Sequence, residues 1–353
     1  MRVRGRARWY PGVVAAAAFV LSACARANLP QNTLAPQGPQ AHKIDVLFQW
    51  VFWIAVGVFV LVEGALVYFL VRFRHRPGRA VPAQVHGNKR LEVTWTIIPA
   101  TLLAIIAVPT IATIFNLARV PPNALRITVT GHQWWWEARY PEQSGKGLGA
   151  EVVTANEIHI PTGTPVYITL ESNDVIHSFW VPRLAGKQDL EPGRVTHLTI
   201  EAPNPGTYFG QCAEFCGISH ANMRLEVIAQ SPADFRVWAN AQARPAPQPP
   251  ADVIAIMDRV GCGGCHTISG VKGATGVPYL GAVGPNLTHF ADRTTFAGAT
   301  EPRSDANLAA WLRDPQTVKP GNDMTIGPDA KPGRSVLTED EINTLVQYLD
   351  TLK

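Results

Sequence analysis

Charged residues are scarce in this sequence. Asp, Glu, Lys and Arg together make up 16% of the 353 residues, whereas hydrophobic residues make up 46%. Typical soluble domains are about 25% charged. The net charge is only +4 and no basic patch with interleaved aromatic residues occurs, which excludes a nucleic-acid-binding function. The length is sufficient for two or three domains.

Cysteine is also rare. The five cysteines are Cys24, Cys212, Cys216, Cys262 and Cys265. An odd number excludes a framework made of disulfides alone, because one thiol would be left over. The last four form two closely spaced pairs, so each pair needs its own chemical explanation.

Two long apolar runs account for much of the low charge. Val46 to Val71 and Trp95 to Leu117 each exceed the ~20 residues needed to cross a bilayer. The loop between them carries six basic residues and a single acid, Glu92, and the positive-inside rule therefore places it in the cytoplasm. We expect a two-helix transmembrane hairpin over residues 44–120, with a cytoplasmic loop at 72–94.

The N-terminus has the composition of a secretory signal. Four arginines occur within the first eight residues, an apolar stretch runs from Val13 to Leu21, and small residues precede Cys24. The sequence L-S-A-C resembles a bacterial lipobox, which predicts a lipoprotein signal peptide over 1–23 and lipidation of Cys24. The alternative is an ordinary signal with an incidental cysteine. Residues 24–43, rich in Pro and Gln, are expected to form a linker.

Short alternating segments follow the second apolar run. Period-two patterns occur at Arg126 to Thr130, Pro165 to Leu170, Val195 to Ile200 and Met223 to Ile228, and Pro- and Gly-rich turns separate them. This spacing predicts a small β-sandwich or barrel over residues 121–230. The signal and the loop charges both place this domain outside the cytoplasm.

One loop of this domain concentrates metal-binding side chains. The segment C-A-E-F-C-G-I-S-H-A-N-M runs from Cys212 to Met223, and His177 lies upstream. Soft thiolates, imidazoles and a thioether suit copper. Two alternatives use the same residues: a disulfide between Cys212 and Cys216 in an oxidising compartment, or a structural zinc site completed by His220 and His177. These residues alone leave all three open.

A second redox motif follows a Pro-rich linker at residues 231–251. The pattern C-x-x-C-H comprises Cys262, Cys265 and His266. In c-type attachment the two thiols bond the haem vinyl groups and the adjacent histidine ligates iron, so the motif predicts one covalent haem c. A thioredoxin-like redox pair or half of a zinc site is the alternative. Neither requires the adjacent histidine, and no βαβ pattern surrounds the motif.

Several motifs resemble subunit II of haem-copper cytochrome c oxidases. They are G-H-Q-W-W-W-E (Gly131 to Glu137), D-V-I-H-S-F-W-V-P (Asp174 to Pro182), G-K-Q-D-L-E-P-G-R (Gly186 to Arg194), G-Q-C-A-E-F-C-G-I-S-H-A-N-M (Gly210 to Met223) and W-T-I-I-P-A (from Trp95). Their order and spacing agree from the first apolar run to Gln230. Quinol-oxidising relatives have lost the metal ligands, whereas this chain keeps them all.

The resemblance implies a cupredoxin fold with a dinuclear copper centre, CuA. The implied ligands are His177, Cys212, the main-chain carbonyl of Glu214, Cys216, His220 and Met223, with both thiolates bridging the coppers. The Glu214 carboxylate would help to bind magnesium at the junction with subunit I. Electrons would reach the centre through Trp134, and Glu92 would lie near the mouth of a proton channel in subunit I. Taken singly, the two acids could be ordinary loop residues and Trp134 a core residue.

The segment 252–353 resembles class I cytochrome c. Helices are expected at Val253 to Val260, from Asn307 and from Leu337, the last capped by Thr338. In G-P-N-L, the carbonyl of Pro285 can hold the His266 ring. The fold class is therefore multidomain: a transmembrane hairpin, an all-β cupredoxin-like domain and an all-α class I cytochrome c domain.

The same resemblance identifies the sixth iron ligand as Met324, which stands in K-P-G-N-D-M before the last helix. His/Met ligation raises the haem potential. Met257 is the competitor, but it precedes C-x-x-C-H too closely to reach the opposite haem face. Lipid, copper and haem then account for all five cysteines, which argues against the disulfide and the zinc site.

Together these resemblances imply a relative of subunit II of bacterial caa-type oxidases, which carries its own cytochrome c. Its electrons would pass from an upstream donor, such as a bc-type complex or a cytochrome, to subunit I for oxygen reduction coupled to proton pumping. Subunits I and III are the expected partners, and a carboxyl group within the first span, Glu63, also favours a partner. The expected location is the bacterial inner membrane, multi-pass, with both redox domains periplasmic. The alternative is a membrane-tethered electron-transfer or copper-binding protein without an oxidase core.

Overall fold

The computed structural model describes residues 29–75, 77–78, 86–141, 151–326 and 336–353. The predicted signal peptide and the proposed lipidation site, Cys24, lie outside the described residues. The described chain forms a helical hairpin, a β-sandwich and a helical C-terminal domain, as the sequence predicts.

The hairpin consists of α1 (Pro39–Arg72) and α2 (Lys89–Leu117). Their most apolar stretches have mean hydropathies of 2.5 and 2.3 and are not buried against any other part of the described chain. Helices of this length and composition can cross a bilayer. At one end the Lys43 ammonium donates to Asn116 Oδ1 at 2.6 Å, which ties the start of α1 to the end of α2.

Both helices begin earlier than the hydrophobic pattern indicates. Proline occupies the first position of α1, so residues 39–43 are helical and the predicted linker over 24–43 is too long. The Asn88 side chain accepts hydrogen bonds from the main-chain N–H groups of Arg90 and Leu91, so α2 starts at Lys89 and the loop is shorter than 72–94. Apolar periodicity misses such polar first turns.

Ten strands form a sandwich of two five-stranded sheets. Inward-facing side chains such as Trp136, Leu170 and Phe179 are fully buried between the sheets. The predicted β-sandwich is confirmed. The strands are β1 (Leu125–His132), β2 (Trp135–Tyr140), β3 (Val152–Ala155), β4 (Glu157–Pro161), β5 (Val166–Ser172), β6 (His177–Trp180), β7 (Gln188–Leu190), β8 (Thr196–Ile200), β9 (Gly206–Cys212) and β10 (Arg224–Gln230). The strand order is β3-β2-β1-β5-β8 in one sheet and β4-β10-β9-β6-β7 in the other.

The predicted linker over 231–251 is wrong for its first half. Ser231 caps a helix, α3 (Pro232–Gln242), whose first position is Pro232. Phe235 is buried against the sandwich, and Trp238 stacks on His159 with ring centroids 4.1 Å apart. The prolines that suggested an extended linker lie after this helix, so they do not interrupt it.

The C-terminal domain contains the predicted helices around one apolar core. Thr338 caps the last helix through a capping box with Glu341, as the sequence indicates. Two short ribbons, which the all-α prediction omitted, add a few strand residues. The elements are α4 (Ala251–Val260), α5 (Cys262–Cys265), β11 (Thr267–Lys272), β12 (Pro278–Leu280), β13 (Thr295–Phe296), β14 (Glu301–Pro302), α6 (Asp305–Arg313), α7 (Pro315–Val318) and α8 (Glu339–Leu349).

Candidate metal centre and haem pocket

The predicted copper ligands meet at one end of the sandwich because two neighbouring strands, β6 and β9, position them there. β9 ends at Cys212, and the loop that follows returns through Met223 into β10, closed by a hydrogen bond from Cys212 N to Met223 O at 2.9 Å. His177 begins β6, which pairs with β9. The sheet register therefore brings a residue 35 positions away against the loop.

The six predicted ligand positions surround one small volume. The Sγ atoms of Cys212 and Cys216 lie 3.8 Å apart, and both cysteines are free thiols. The remaining groups line up along these sulfurs: His177 Nδ1 at 3.9 Å and Glu214 O at 3.2 Å from Cys212 Sγ, His220 Nδ1 at 3.5 Å and Met223 Sδ at 3.8 Å from Cys216 Sγ. Soft sulfur and imidazole donors on two adjacent thiols fit a pair of copper ions.

The pKa values of these groups depend on one another, and only the pKa of Cys212 is shifted toward the form that binds metal. The neighbouring Cys216 thiol, with His177, lowers the pKa of Cys212 to about 4 against the cost of burial. Cys212 is then a thiolate, the form that binds metal. The close thiolate and burial raise the pKa of Cys216. Burial opposes protonation of His177, but its contacts with Cys212 and Asp174 outweigh this and raise its pKa.

Asp174 orients the upstream histidine, a role that the sequence did not single out. Its Oδ1 lies 2.8 Å from His177 Nε2, which leaves Nδ1 facing the thiols. Its Oδ2 accepts a hydrogen bond from the main-chain N–H of Gln133 at 2.6 Å. A carboxylate behind a metal-binding histidine fixes the ring and raises its basicity.

The C-x-x-C-H residues line an apolar cavity in the C-terminal domain. Cys262, Cys265 and His266 lie on its wall together with Met324. The Nδ1–H of His266 can donate to the carbonyl of Pro285 at 2.7 Å, which confirms the predicted contact and directs Nε2 elsewhere. Burial lowers the pKa of His266, so the ring is held neutral, as iron ligation requires.

A hydrogen bond to the proposed sixth ligand was missed by the sequence analysis. The indole Nε1 of Trp311 donates to Met324 Sδ at 3.0 Å. Trp311 lies on α6, whereas Met324 lies in the segment that follows α7. Their contact therefore depends on how this segment packs against α6. The competitor, Met257, is buried on α4, the helix that runs into the C-x-x-C-H motif.

The cavity also suits the acidic part of a haem. Arg293 and Lys319 both line it and are at least nine-tenths buried. Burial lowers the pKa of Arg293 to about 10, and its Nε has no hydrogen-bond partner among the described residues. Buried cations need an anionic partner. The cavity is lined mostly by apolar side chains, and its two cations fit a flat apolar ring with two carboxylates.

Three family descriptions cover most of the chain. Residues 30–113 match "Cytochrome C oxidase subunit II, transmembrane domain", residues 125–230 match "Cytochrome C oxidase subunit II, periplasmic domain" and residues 253–353 match "Cytochrome c". A "Cytochrome c oxidase subunit 2" from Alkalihalophilus pseudofirmus is 38% identical over 335 residues, 91% of each chain. The chain belongs to the cytochrome c oxidase subunit II family.

A second relative that covers nearly the whole chain agrees with this assignment. A "Cytochrome c oxidase subunit 2" from Bacillus subtilis is 34% identical over 357 residues, 95% of each chain. The crystal structure of the periplasmic domain of subunit II of cytochrome oxidase from Bradyrhizobium japonicum is 28% identical. It covers 35% of this chain and 96% of that one, with a TM-score of 0.32. The two long relatives extend across the cytochrome c domain as well.

The haem-type cavity extends to the copper domain. Its wall includes Gln133, Trp134 and Trp135, which precede and begin β2. Trp134 is buried and donates its indole Nε1–H to the carbonyl of Cys216 at 2.9 Å. The main-chain carbonyl of Trp134 accepts a hydrogen bond from Lys319 Nζ at 2.5 Å. One tryptophan therefore touches both redox domains.

Two predicted site residues lie away from the ligands. Glu92 is in the first turn of α2, in the membrane hairpin. The Glu214 carboxylate is directed to the surface of the copper loop, with one oxygen 3.8 Å from Lys187 Nζ. Both acids remain accessible to a partner subunit, and neither contacts the thiols through its side-chain oxygens in the described structure.

Proposed function

We propose that this chain delivers electrons to subunit I of a haem-copper oxidase, where oxygen is reduced to water with proton pumping. The observation that supports this proposal most directly is the position of Trp134. Its indole N–H donates to the Cys216 carbonyl, and its own main-chain carbonyl accepts a hydrogen bond from Lys319 of the cytochrome c domain. No separate docking event is then needed between the two redox domains. Tethering keeps their effective concentration high.

The copper centre would be held by both thiolates, both imidazoles and two weak donors. Cys212 and Cys216 would bridge, His177 and His220 would each bind one copper, and Met223 Sδ and the Glu214 carbonyl would complete the set, as their spacing around the sulfurs supports. Asp174 would keep the His177 ring oriented. When bound, the copper pair and the haem each take up and release single electrons.

The haem would be attached through Cys262 and Cys265 and ligated by His266 and Met324. The hydrogen bond from His266 to Pro285 supports Nε2 as the iron ligand. The hydrogen bond from Trp311 supports a fixed position for the Met324 sulfur. Trp134 would carry electrons between this site and the copper loop.

Other parts of the proposal concern the membrane and the partners. Glu214 would share a magnesium ion with subunit I, Glu92 would lie near the mouth of a proton channel, and Cys24 would be lipidated after removal of a lipoprotein signal. Subunit III and a bc-type complex or cytochrome donor complete the assembly. The location is the bacterial inner membrane with both redox domains periplasmic, in agreement with the basic loop between the two spans.

Electron paramagnetic resonance of the purified full chain tests the copper assignment. We expect a mixed-valence signal delocalised over two coppers. Cys216→Ser should abolish it and leave the haem spectrum unchanged, whereas Cys262→Ser should impair haem attachment and leave the copper signal. A single isolated copper, or bound zinc without a signal, would contradict the proposal.

The alternative, a tethered electron carrier without an oxidase core, is distinguished by co-purification. Affinity capture of this chain in mild detergent should recover a large haem-containing membrane subunit. Recovery of the chain alone, with both redox centres intact, would favour the alternative.

A further inference from the structure

Lys319 lies at the contact between the two redox domains, in an environment that does not account for its charge. Its side chain is almost fully buried, with 3% of its surface exposed. It donates to the Trp134 carbonyl, and no acidic side chain in the described part of the chain forms an ion pair with it. An ammonium group has three N–H donors, so two further donors need acceptors.

The backbone at Gly298 leaves room for this ammonium group because glycine has no side chain. A Cβ placed on Gly298 would come within 2.5 Å of Lys319 Nζ and 3.0 Å of the Trp134 carbonyl oxygen. Gly298 also has a φ of +81°, a conformation that favours glycine. The Lys319 ammonium, the Trp134 carbonyl and Gly298 therefore form a tight three-way contact at the cavity wall.

The cavity indicates which anion is missing. Lys319 and Arg293 are the two basic side chains of the haem cavity wall. A haem bonded to Cys262 and Cys265 through its vinyl groups carries two propionate carboxylates on the other side of the ring. In the bare protein, burial lowers the pKa of Lys319 to about 7, and the opposing charge of Cys216 does not offset this effect.

We propose that Lys319 binds a haem propionate while it donates to the Trp134 carbonyl, and so links the haem carboxylate to the copper domain through one side chain. This inference rests on the proposed haem attachment. Lys319 is a positioning residue in this arrangement, since it acts on the haem and on Trp134 rather than on a reacting atom. The bridge also explains why a lysine is tolerated in an interface where an unpaired cation is costly.

Two further hydrogen bonds join the domains close to Lys319. Ser219, in the copper loop, donates to the carbonyl of Pro320 at 2.6 Å, next to Lys319 in sequence. The main-chain N–H of Arg224 donates to the carbonyl of Gly298 at 2.9 Å. These bonds hold the Lys319 segment against the copper domain, so its side chain has little freedom to seek another anion.

The test uses the full chain in its assembled oxidase, with carbon-13 in the haem propionate carboxyl carbons. Lys319→Met should lower the midpoint potential of the haem, because a positive charge that favours the reduced state is lost, and should shift the labelled carboxylate band in the redox infrared difference spectrum. Lys319→Arg should retain most of the wild-type potential and band position. Lys272→Met, which removes an exposed lysine from the same domain, should behave as wild type.

Three results would overturn the bridge: an unchanged potential and carboxylate band in Lys319→Met, an equal shift in Lys272→Met, or a fall in Lys319→Arg as large as in Lys319→Met. If the Met variant does not assemble, Lys319→Gln takes its place, and the same fall in potential and shift of the carboxylate band are expected. Haem content and the copper signal are measured on the same samples. Absence of either from wild type would contradict the proposed function, whereas normal centres with unchanged potentials would contradict only the bridge.

Discussion

Trp134 donates its indole Nε1–H to the main-chain carbonyl of Cys216 at 2.9 Å. The Gln133 side chain donates to the same carbonyl at 2.7 Å. Two consecutive residues therefore fix the main chain at Cys216. Gly217 permits this approach, since a Cβ there would lie 2.9 Å from the Trp134 ring. The tryptophan is thus a structural support of the copper loop as well as a neighbour of the haem cavity.

Replacing Trp134 by Phe should slow electron transfer between the two domains at least severalfold while the copper signal survives. Phenylalanine keeps an aromatic ring in the interface but loses the hydrogen bond to the Cys216 carbonyl. Flash-induced transfer in the assembled enzyme measures the rate. Trp238→Phe, on α3 and remote from the cavity wall, is the matched control. A wild-type rate in Trp134→Phe would remove this residue from the route.

Asp174→Asn should weaken copper binding. An amide cannot supply the negative charge behind His177 Nε2, and it also weakens the hydrogen bond from Gln133 N. Loss of such a supporting carboxylate typically reduces metal affinity by about 10–100-fold. Competition with a chelator of known affinity measures the change. Asp234→Asn, which removes a carboxylate from the surface helix α3, should leave the affinity at the wild-type value.

Most of the proposed ligand positions could be located from the sequence because they lie close together in the chain, whereas His177 and Met324 were assigned through the family resemblance. Cys212, Cys216, His220 and Met223 belong to one loop, and C-x-x-C-H is contiguous. The capping box at Thr338 was readable for the same reason. Local spacing carries this information, since loop ligands and helix caps involve residues only a few positions apart.

The supporting contacts could not be predicted because they join distant residues. Lys319 and Trp134 are 185 positions apart, and their hydrogen bond exists only when the two domains dock. Asp174 and Trp311 depend on a strand pairing and a helix packing that no local pattern specifies. The helix α3 was missed because the prolines that follow it dominate the composition of that segment.

Trp311→Phe should lower the midpoint potential of the haem. The indole N–H withdraws electron density from the Met324 sulfur, which makes it a poorer donor to ferric iron and favours the reduced state. Loss of that donor should therefore favour the oxidised state. Spectroelectrochemical titration of the full chain measures the shift.

The control for Trp311 is Tyr348→Phe. The Tyr348 hydroxyl is buried in the same core and has no hydrogen-bond partner among the described residues, so its removal should leave the potential unchanged. If both variants shift the potential equally, the effect arises from general changes of the core rather than from the bond to Met324.

Glu226→Gln should stabilise the chain at neutral pH but not in acid. Glu226 on β10 lies beside Glu157 on the parallel strand β4, and burial together with that neighbouring carboxylate raises the pKa of Glu226. Glu157 itself accepts hydrogen bonds from Thr294 and Thr295 of the cytochrome c domain. The acidic pair therefore lies at the contact between the domains.

The pH dependence follows from the direction of that shift. A raised carboxyl pKa means that ionisation of Glu226 costs more in the folded protein than in the unfolded chain. This cost is absent well below the ordinary pKa of 4.5. It grows as pH rises from that value through the raised pKa of the folded protein. The thermal midpoint of Glu226→Gln should exceed that of wild type at pH ~7, and the difference should vanish near pH ~4. Glu171→Gln, on the other sheet, should show no such pH-dependent gain, and an equal gain at both pH values in Glu226→Gln would contradict the electrostatic origin.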